Sequence, residues 1–198
     1  MADYGFGIIG CGMISEYHSA AIEELEKGRL TVVSSRHEEN ARTLTDKYGV
    51  PWHQDYNELL ARDDVDVVCV CSPSGAHMDP CVAAAEAGKH VVVEKPIEVT
   101  LERADAIIQA CAENDVQLCC IFPSRFQDAA QAIKKVTDSD RFGTFTVGDL
   151  YNKWWRGQEY YDSGGWRGTW KLDGGGALMN QAIHGVDLLQ WFMGPVKQ

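Results

Sequence analysis

Short runs of apolar residues alternate with longer amphipathic segments along the first 120 residues of the chain. The apolar runs predict five β-strands, at residues 6–9, 30–34, 65–70, 90–93 and 117–121. A helix beginning after Thr100 is predicted by Leu101, Ala104 and Ile108, which recur at helical spacing. This alternation of strands and helices is typical of βαβ units and therefore of a parallel sheet.

The strand predicted at residues 65–70 is almost continuously apolar. Such a strand is expected where helices cover both faces of the sheet, since neither side of the strand then meets water. The pattern therefore predicts an α/β fold with a doubly wound parallel sheet over residues 1–121.

After residue 121 the pattern changes to one amphipathic helix at 128–137, a strand-like stretch at 144–151 and a helical stretch at 177–192. A single strand cannot form a stable sheet, because about three strands or a packing partner are needed. We therefore expect residues 122–198 to be the incomplete start of a second α+β domain.

The formal net charge of −11 disfavours nucleic acids and anionic membranes as partners, since both select basic surfaces. The N terminus has no basic stretch followed by an apolar core, and no apolar run is long enough to span a bilayer, so a cytoplasmic protein is predicted. Seven cysteines lack the paired spacing of a zinc site. No metal is expected.

The segment Gly10-Cys11-Gly12 lies between the first predicted strand and a predicted helix. In that context Gly10 allows a tight turn, and Gly12 allows the backbone to approach a pyrophosphate. The helix that follows, beginning at Met13 and Ile14, offers free N–H groups and the positive end of its dipole. Gly10, Gly12, Met13 and Ile14 are therefore predicted to bind a dinucleotide, and residues 1–121 are interpreted as a Rossmann-type dinucleotide-binding domain.

At the end of the second strand the sequence reads Ser34-Ser35-Arg36-His37, where an acidic residue would ordinarily bind the ribose 2′-hydroxyl. Ser35 and Arg36 can instead bind a 2′-phosphate, and this favours NADP over NAD. The alternative is that Arg36 is an exposed arginine at the start of a helix.

Four separated motifs resemble those of the glucose-fructose oxidoreductase / inositol dehydrogenase / MocA (Gfo/Idh/MocA) family of NAD(P)-dependent sugar oxidoreductases. They are residues 7–12, residues 72–77, Glu94-Lys95-Pro96, and Gly174-Gly175-Gly176 followed by Asn180, His184 and Asp187. The resemblance implies a nicotinamide cofactor, NAD(P), and a sugar substrate. It also implies that residues 122–198 are part of a substrate-binding and dimerisation domain, and that the chain is C-terminally truncated, without most of that domain.

Within the family, residues 158–161 and 165–170 most resemble the UDP-N-acetyl-2-amino-2-deoxyglucuronate dehydrogenases of surface-polysaccharide biosynthesis. A nucleotide sugar offers a base that can stack, a diphosphate and a sugar, which suits Trp166 and Arg167 as substrate-binding residues. The alternative is that these aromatic residues form core or inter-subunit contacts.

In the family the lysine matching Lys95 lies between nicotinamide ribose and substrate, where its charge stabilises a developing alkoxide. The resemblance therefore implies that Lys95 is catalytic and also contacts cofactor and substrate. The neighbouring motif residues Ser72, Pro73, His77 and Glu94 are implied to contact the cofactor.

The resemblance implies that His184 is the second catalytic residue and carries the proton, a role that suits a side chain titrating near neutrality. Asn180 and Asp187 are expected on the same helical face as His184. Asn180 is assigned to substrate orientation, whereas Asp187 is an orienting or packing residue. Arg125 is assigned either to substrate binding or to an interdomain salt link.

The leading hypothesis is an enzyme that moves hydride between nicotinamide and a secondary alcohol of a sugar or nucleotide sugar. Two alternatives are a nonenzymatic NAD(P)-binding protein or inactive fragment, and an NAD-dependent glycosidase that oxidises its substrate transiently. Family members commonly pair through the second domain, so self-association is expected unless that surface is incomplete.

Overall fold

The computed structural model describes residues 4–139 and 141–196 and divides into two compact units between Cys120 and Ile121. The strands of the first unit are β1 (Tyr4–Ile9), β2 (Gly28–Ser34), β3 (Trp52–His53), β4 (Val67–Val70), β5 (His90–Val93) and β6 (Leu118–Cys120). Its α-helices are α1 (Met13–Glu23), α2 (Glu38–Tyr48), α3 (Tyr56–Leu60), α4 (Met78–Glu86) and α5 (Leu101–Glu113).

The six strands form one parallel sheet in the order β3-β2-β1-β4-β5-β6. The order reverses between β1 and β4, and in doubly wound sheets this reversal opens a ligand crevice at the carboxyl ends of the strands. All four residues of β4 are buried, as a strand covered by helices on both faces should be. The predicted doubly wound sheet is confirmed.

The short strand β3 is absent from the sequence prediction. It has only two residues, too few to show a periodic pattern, and it forms by pairing Trp52 and His53 with Val33 and Ser34 of β2. Helix α5 matches its prediction, since it begins after Thr100, whose hydroxyl accepts the Arg103 N–H.

The second unit contains α6 (Asp128–Thr137), α7 (Gln158–Asp162), a π-helix over Ala177–Ala182 and α8 (Ile183–Met193). Helix α6 is confirmed at the predicted bounds, whereas the strand predicted at residues 144–151 is wrong. All eight residues there are exposed and none is in a strand. A β-strand exists only where a neighbour completes its hydrogen bonds, and no other strand forms in the described part of this unit.

Across residues 4–139 and 141–196, no helix combines the length and the apolar character that crossing a membrane requires.

Candidate functional site

The glycine turn after β1 is set by close backbone contact with the end of β4. Gly10 has a φ of +96°, and a Cβ on it would lie 2.8 Å from the carbonyl carbon of Cys71. Gly12 is different, because its backbone is extended and a Cβ there would meet nothing within 4 Å. Gly10 is thus required by the fold, whereas the absent side chain of Gly12 leaves open space beside the turn.

Helix α1 begins beside that space without a side-chain cap on its N terminus. Uncapped N–H groups and the positive end of the helix dipole bind phosphate anions, so the turn fits a pyrophosphate. Ser15 occupies the position where a glycine or alanine is usual, and its buried hydroxyl donates to the Gly12 carbonyl. Burial raises the pKa of the Cys11 thiol to about 12, so this cysteine of the turn is not a nucleophile.

The segment after β2 contains the two residues predicted to select the cofactor. Ser35 is buried, and its hydroxyl accepts the His37 N–H at 3.4 Å. Arg36 is exposed. Glu38 and Glu39 follow in the first turn of α2, so carboxylates share this surface with the arginine.

Ser72 and Pro73 follow β4, and both are partly exposed. His77 lies five residues further on and is only 1% exposed. Its Nε2 is 2.8 Å from the Ser72 carbonyl oxygen, and its Nδ1 is 3.0 Å from that of Pro96. Burial lowers the pKa of His77. A neutral ring carries one N–H and donates it to one of these two carbonyl oxygens, so His77 is held by the backbone of the loops after β4 and β5. Its contact with the cofactor stays a prediction.

Glu94 and Lys95 follow β5. Glu94 is 8% exposed, one carboxylate oxygen lies 2.9 Å from Nε2 of His18, and the other accepts the Lys95 N–H at 3.2 Å. Burial acts to raise the pKa of Glu94, but the hydrogen bond from His18 and the charges of His18 and Lys95 bring it below its usual value. Glu94 is therefore an ionised, buried carboxylate, and Lys95 is partly exposed beside it.

In the second unit, three glycines precede the helical segment that bears Asn180 and His184. Gly174 and Gly176 have positive φ values of 67° and 57°, which only glycine adopts without strain. Asn180 lies in the π-helix and is buried, and its amide donates to Asp173 at 2.6 Å. Asp173, which the sequence analysis missed, is 1% exposed and also accepts the Gly168 N–H at 2.7 Å.

His184 and Asp187 lie on α8 and contact different partners. The His184 ring packs edge-on against Phe122, with 6.5 Å between centroids. The buried Asp187 carboxylate binds the Arg125 guanidinium with both oxygens, Nε to Oδ2 at 2.8 Å. This ion pair lies within the second unit, so Arg125 positions α8 through a charged, bidentate contact.

An arginine–aromatic cluster gathers the predicted substrate residues Trp166 and Arg167 with Trp154, Arg156 and Tyr160. The Arg156 guanidinium carbon is 4.3 Å from the Trp154 ring centre and 4.8 Å from that of Tyr160. The Arg167 guanidinium carbon is 4.7 Å from the ring centre of Tyr160 and 5.3 Å from that of Trp166. Nε of both arginines is buried without a hydrogen-bond partner in the part of the chain that the structure describes.

Residues that could hold a metal do not come together here: no group of three or more His, Cys, Asp or Glu side chains is suitably placed within residues 4–139 and 141–196.

Two family models match the chain. Residues 4–122 match the model described as an oxidoreductase family with an NAD-binding Rossmann fold, and residues 130–198 match the GFO/IDH/MocA C-terminal domain. Among curated proteins, myo-inositol 2-dehydrogenase of Thermotoga maritima is 28% identical over 95% of this chain and 54% of its own length. The chain thus spans about half the length of this relative.

Solved structures give a closer likeness. One is the WlbA dehydrogenase of Chromobacterium violaceum in complex with NADH and UDP-GlcNAcA. Its sequence is 35% identical to this chain, the TM-score is 0.94, and the match covers 99% of this chain and 57% of the WlbA chain. Another is the WlbA dehydrogenase of Bordetella pertussis in complex with the same two molecules. Its sequence is 36% identical, the TM-score is 0.94, and the match covers 98% of this chain and 56% of the WlbA chain.

Proposed function

The chain belongs to the GFO/IDH/MocA family of oxidoreductases with an NAD-binding Rossmann fold, and from this premise we propose that it transfers hydride between a nicotinamide cofactor and a secondary alcohol of a nucleotide sugar. The observation that carries the proposal is the arrangement of β1, β4 and β5, which are neighbours in the sheet. Their carboxyl ends bring the glycine turn, the Ser72-Pro73 segment and Lys95 to the same edge.

The residues at this edge fit the cofactor. The open space at Gly12 and the uncapped start of α1 suit its pyrophosphate, with the backbone of Met13 and Ile14 facing the same anion. When bound, the nicotinamide supplies hydride acceptance or donation. Lys95 supplies a cation that stabilises negative charge on the substrate oxygen as its carbon is oxidised.

His184 is proposed to take the hydroxyl proton in oxidation and to return it in reduction. The Arg125–Asp187 ion pair holds α8, which carries His184, and the Asp173–Asn180 contact holds the π-helix that leads into it. Asn180, whose side-chain amide donates to Asp173, is proposed to orient the substrate.

A nucleotide sugar is the proposed substrate class because of the arginine–aromatic cluster. Guanidinium groups bind diphosphate or carboxylate groups, and the flanking rings can stack on a base. Both WlbA structures similar to this chain were solved with UDP-GlcNAcA, a ligand with all of these groups.

A preference for NADPH over NADH is proposed on Ser35 and Arg36, with Arg36 as the exposed partner of a 2′-phosphate. Glu38 and Glu39 on the same surface oppose that preference by repelling the phosphate. Titration of the protein with each cofactor gives the dissociation constants of NADH and NADPH. NADH binding at least about tenfold tighter than NADPH would overturn the proposed preference.

The test begins with cofactor binding, measured by the fluorescence of NADH and NADPH. A Gly12→Val variant should lose binding while keeping its unfolding temperature, because a Cβ at this position meets no protein atom within 4 Å and the side chain would enter the proposed pyrophosphate space. If Gly12→Val and the unchanged protein bind NADH and NADPH equally well, the proposed location of the cofactor site is wrong.

Turnover is then measured with UDP-GlcNAcA and either cofactor. His184→Ala should lower kcat by roughly 10²- to 10⁴-fold, the usual contribution of a general acid or base. His37→Ala is the matched control, since His37 is exposed. Unchanged turnover in His184→Ala rules out its role, cofactor binding without turnover indicates a nonenzymatic protein, and aglycone release without net NADH indicates a glycosidase.

A further inference from the structure

We propose that two buried histidines, His18 and His77, are positioning residues that hold the backbone of Lys95 from both sides; the inference rests on the proposed function of Lys95. Each histidine lies far from Lys95 in the sequence. His18 reaches the residue before Lys95, and His77 reaches the residue after it.

The first contact runs through Glu94. His18 Nε2 lies 2.9 Å from one oxygen of Glu94, and the side chains of both residues are about one-tenth exposed, 9% and 10%. The other oxygen of Glu94 accepts the Lys95 N–H at 3.2 Å. Two side chains that are hydrogen-bonded to each other and nearly buried have few alternative positions, so the Lys95 amide is fixed to α1 through Glu94.

The second contact runs through Pro96. Nδ1 of His77 is 3.0 Å from the Pro96 carbonyl oxygen, and Nε2 is 2.8 Å from that of Ser72. Proline offers no N–H, so its carbonyl is the backbone group through which this residue can be held. His77 thereby joins the loop after β4 to the loop after β5.

These contacts connect three parts of the proposed cofactor site. His18 lies on α1, the helix whose N terminus faces the proposed pyrophosphate. His77, four residues after Pro73 in the chain, ties this part of the chain to Pro96 through its ring. Lys95 is therefore held relative to the elements that would bind the cofactor. Such precision matters because an error of about 1 Å in the placement of a reacting group can reduce a rate by roughly 10²-fold.

The positioning role is tested by hydrogen–deuterium exchange of the Lys95 amide, measured at residue resolution without cofactor. In His18→Leu, Glu94 loses its partner, and the Lys95 amide should exchange roughly tenfold faster, as expected for losing a hydrogen bond to a charged group. His18→Gln places an amide N–H near the position of Nε2 and should restore slow exchange. His77→Leu should also increase the exchange rate of the Lys95 amide.

Two references separate positioning from general stability. The Ile107 amide, in the core helix α5, should keep its exchange rate in all variants. His90→Gln changes a histidine at the other end of β5 and should leave the Lys95 amide unaffected. Unchanged exchange at Lys95 in His18→Leu, or equal acceleration at Lys95 and Ile107, overturns the proposal.

If His18→Leu does not fold, Glu94→Gln tests the same contact between His18 and Glu94. This substitution keeps the side-chain volume of Glu94 and removes its charge. It should accelerate exchange of the Lys95 amide by about threefold, because a neutral amide oxygen accepts this N–H more weakly than a carboxylate does. Unchanged exchange at Lys95 in Glu94→Gln would contradict the proposal. NADH titration of the unchanged protein tests the cofactor site independently of these exchange rates.

Discussion

The two units of this protein are stabilised by different kinds of contact. In the first, apolar side chains such as Ile8, Val68 and Ile107 are fully buried on both sides of the sheet. In the described part of the second, the buried apolar residues are Ala130 and Ala182, and the other buried side chains are polar. The first unit therefore depends on hydrophobic burial, whereas the second depends on directional contacts that each need an intact partner.

This difference can be measured because the tryptophans are unevenly distributed. Trp52 lies in the first unit, and the other tryptophans lie beyond residue 150. Tryptophan fluorescence therefore reports mainly on the second unit, and the circular dichroism of the helices and the sheet reports mainly on the first.

The largest effect is expected from Ile107→Ala. Ile107, a residue of α5, is 0% exposed, and its side chain packs in the core. Removing this side chain leaves a cavity. We expect the free energy of unfolding to fall by about 2–5 kcal/mol. The circular dichroism transition in urea should move to lower concentration. Ile108→Ala, on the exposed face of the same helix, is the control and should cost under about 1 kcal/mol.

A smaller effect is expected from Asp173→Ala in the second unit. The substitution leaves the Gly168 N–H and the Asn180 amide without their acceptor and should cost about 1–3 kcal/mol. The tryptophan transition should shift, with little change in the circular dichroism transition. The exposed Asp162→Ala is the control. An equal shift of both transitions would show that the two units unfold together.

The smallest effect is a pH dependence of the first unit. Because the folded-state pKa of Glu94 is lowered, its contribution is fully present above the unfolded value of about 4.3 and is lost as pH falls through the folded value. The pKa of His77 is also lowered, so its unfavourable protonation begins to destabilise the fold below about pH 6.5.

The measurement is a urea midpoint followed by circular dichroism between pH 7 and pH 3. The Glu94→Gln variant should have a shallower slope near and below about pH 4.3, where Asp64, whose pKa is also lowered, still contributes. It should keep the part of the slope that begins near pH 6.5. A slope identical to that of the unchanged protein at every pH would contradict the assigned direction for Glu94.

Local patterns account for much of what was predicted. The apolar runs, the helix after Thr100 and the glycine turn were all recognisable because each depends on a few consecutive residues whose periodicity or backbone freedom has one main structural use. The motifs likewise identified Lys95 and His184 as candidates, and their roles stay proposals.

The failures concern residues whose state depends on distant partners. The strand predicted at 144–151 has suitable residue types but no neighbouring strand. The two-residue strand β3 exists because β2 lies beside it. The contact between the His77 ring and the Pro96 carbonyl likewise depends on a distant partner, whereas the assignment of His77 to the cofactor stays a prediction.

The sequence by itself determined the Rossmann sheet, the glycine turn and the family, since these follow from short-range patterns of residue type. Tertiary structure alone decided that Glu94 meets His18 across 76 positions of the chain, that Asp173 holds Asn180, and that Arg125 pairs with Asp187. The physical reason is that charged and polar partners are chosen by proximity after folding, and no local pattern specifies which buried acceptor a given donor will find.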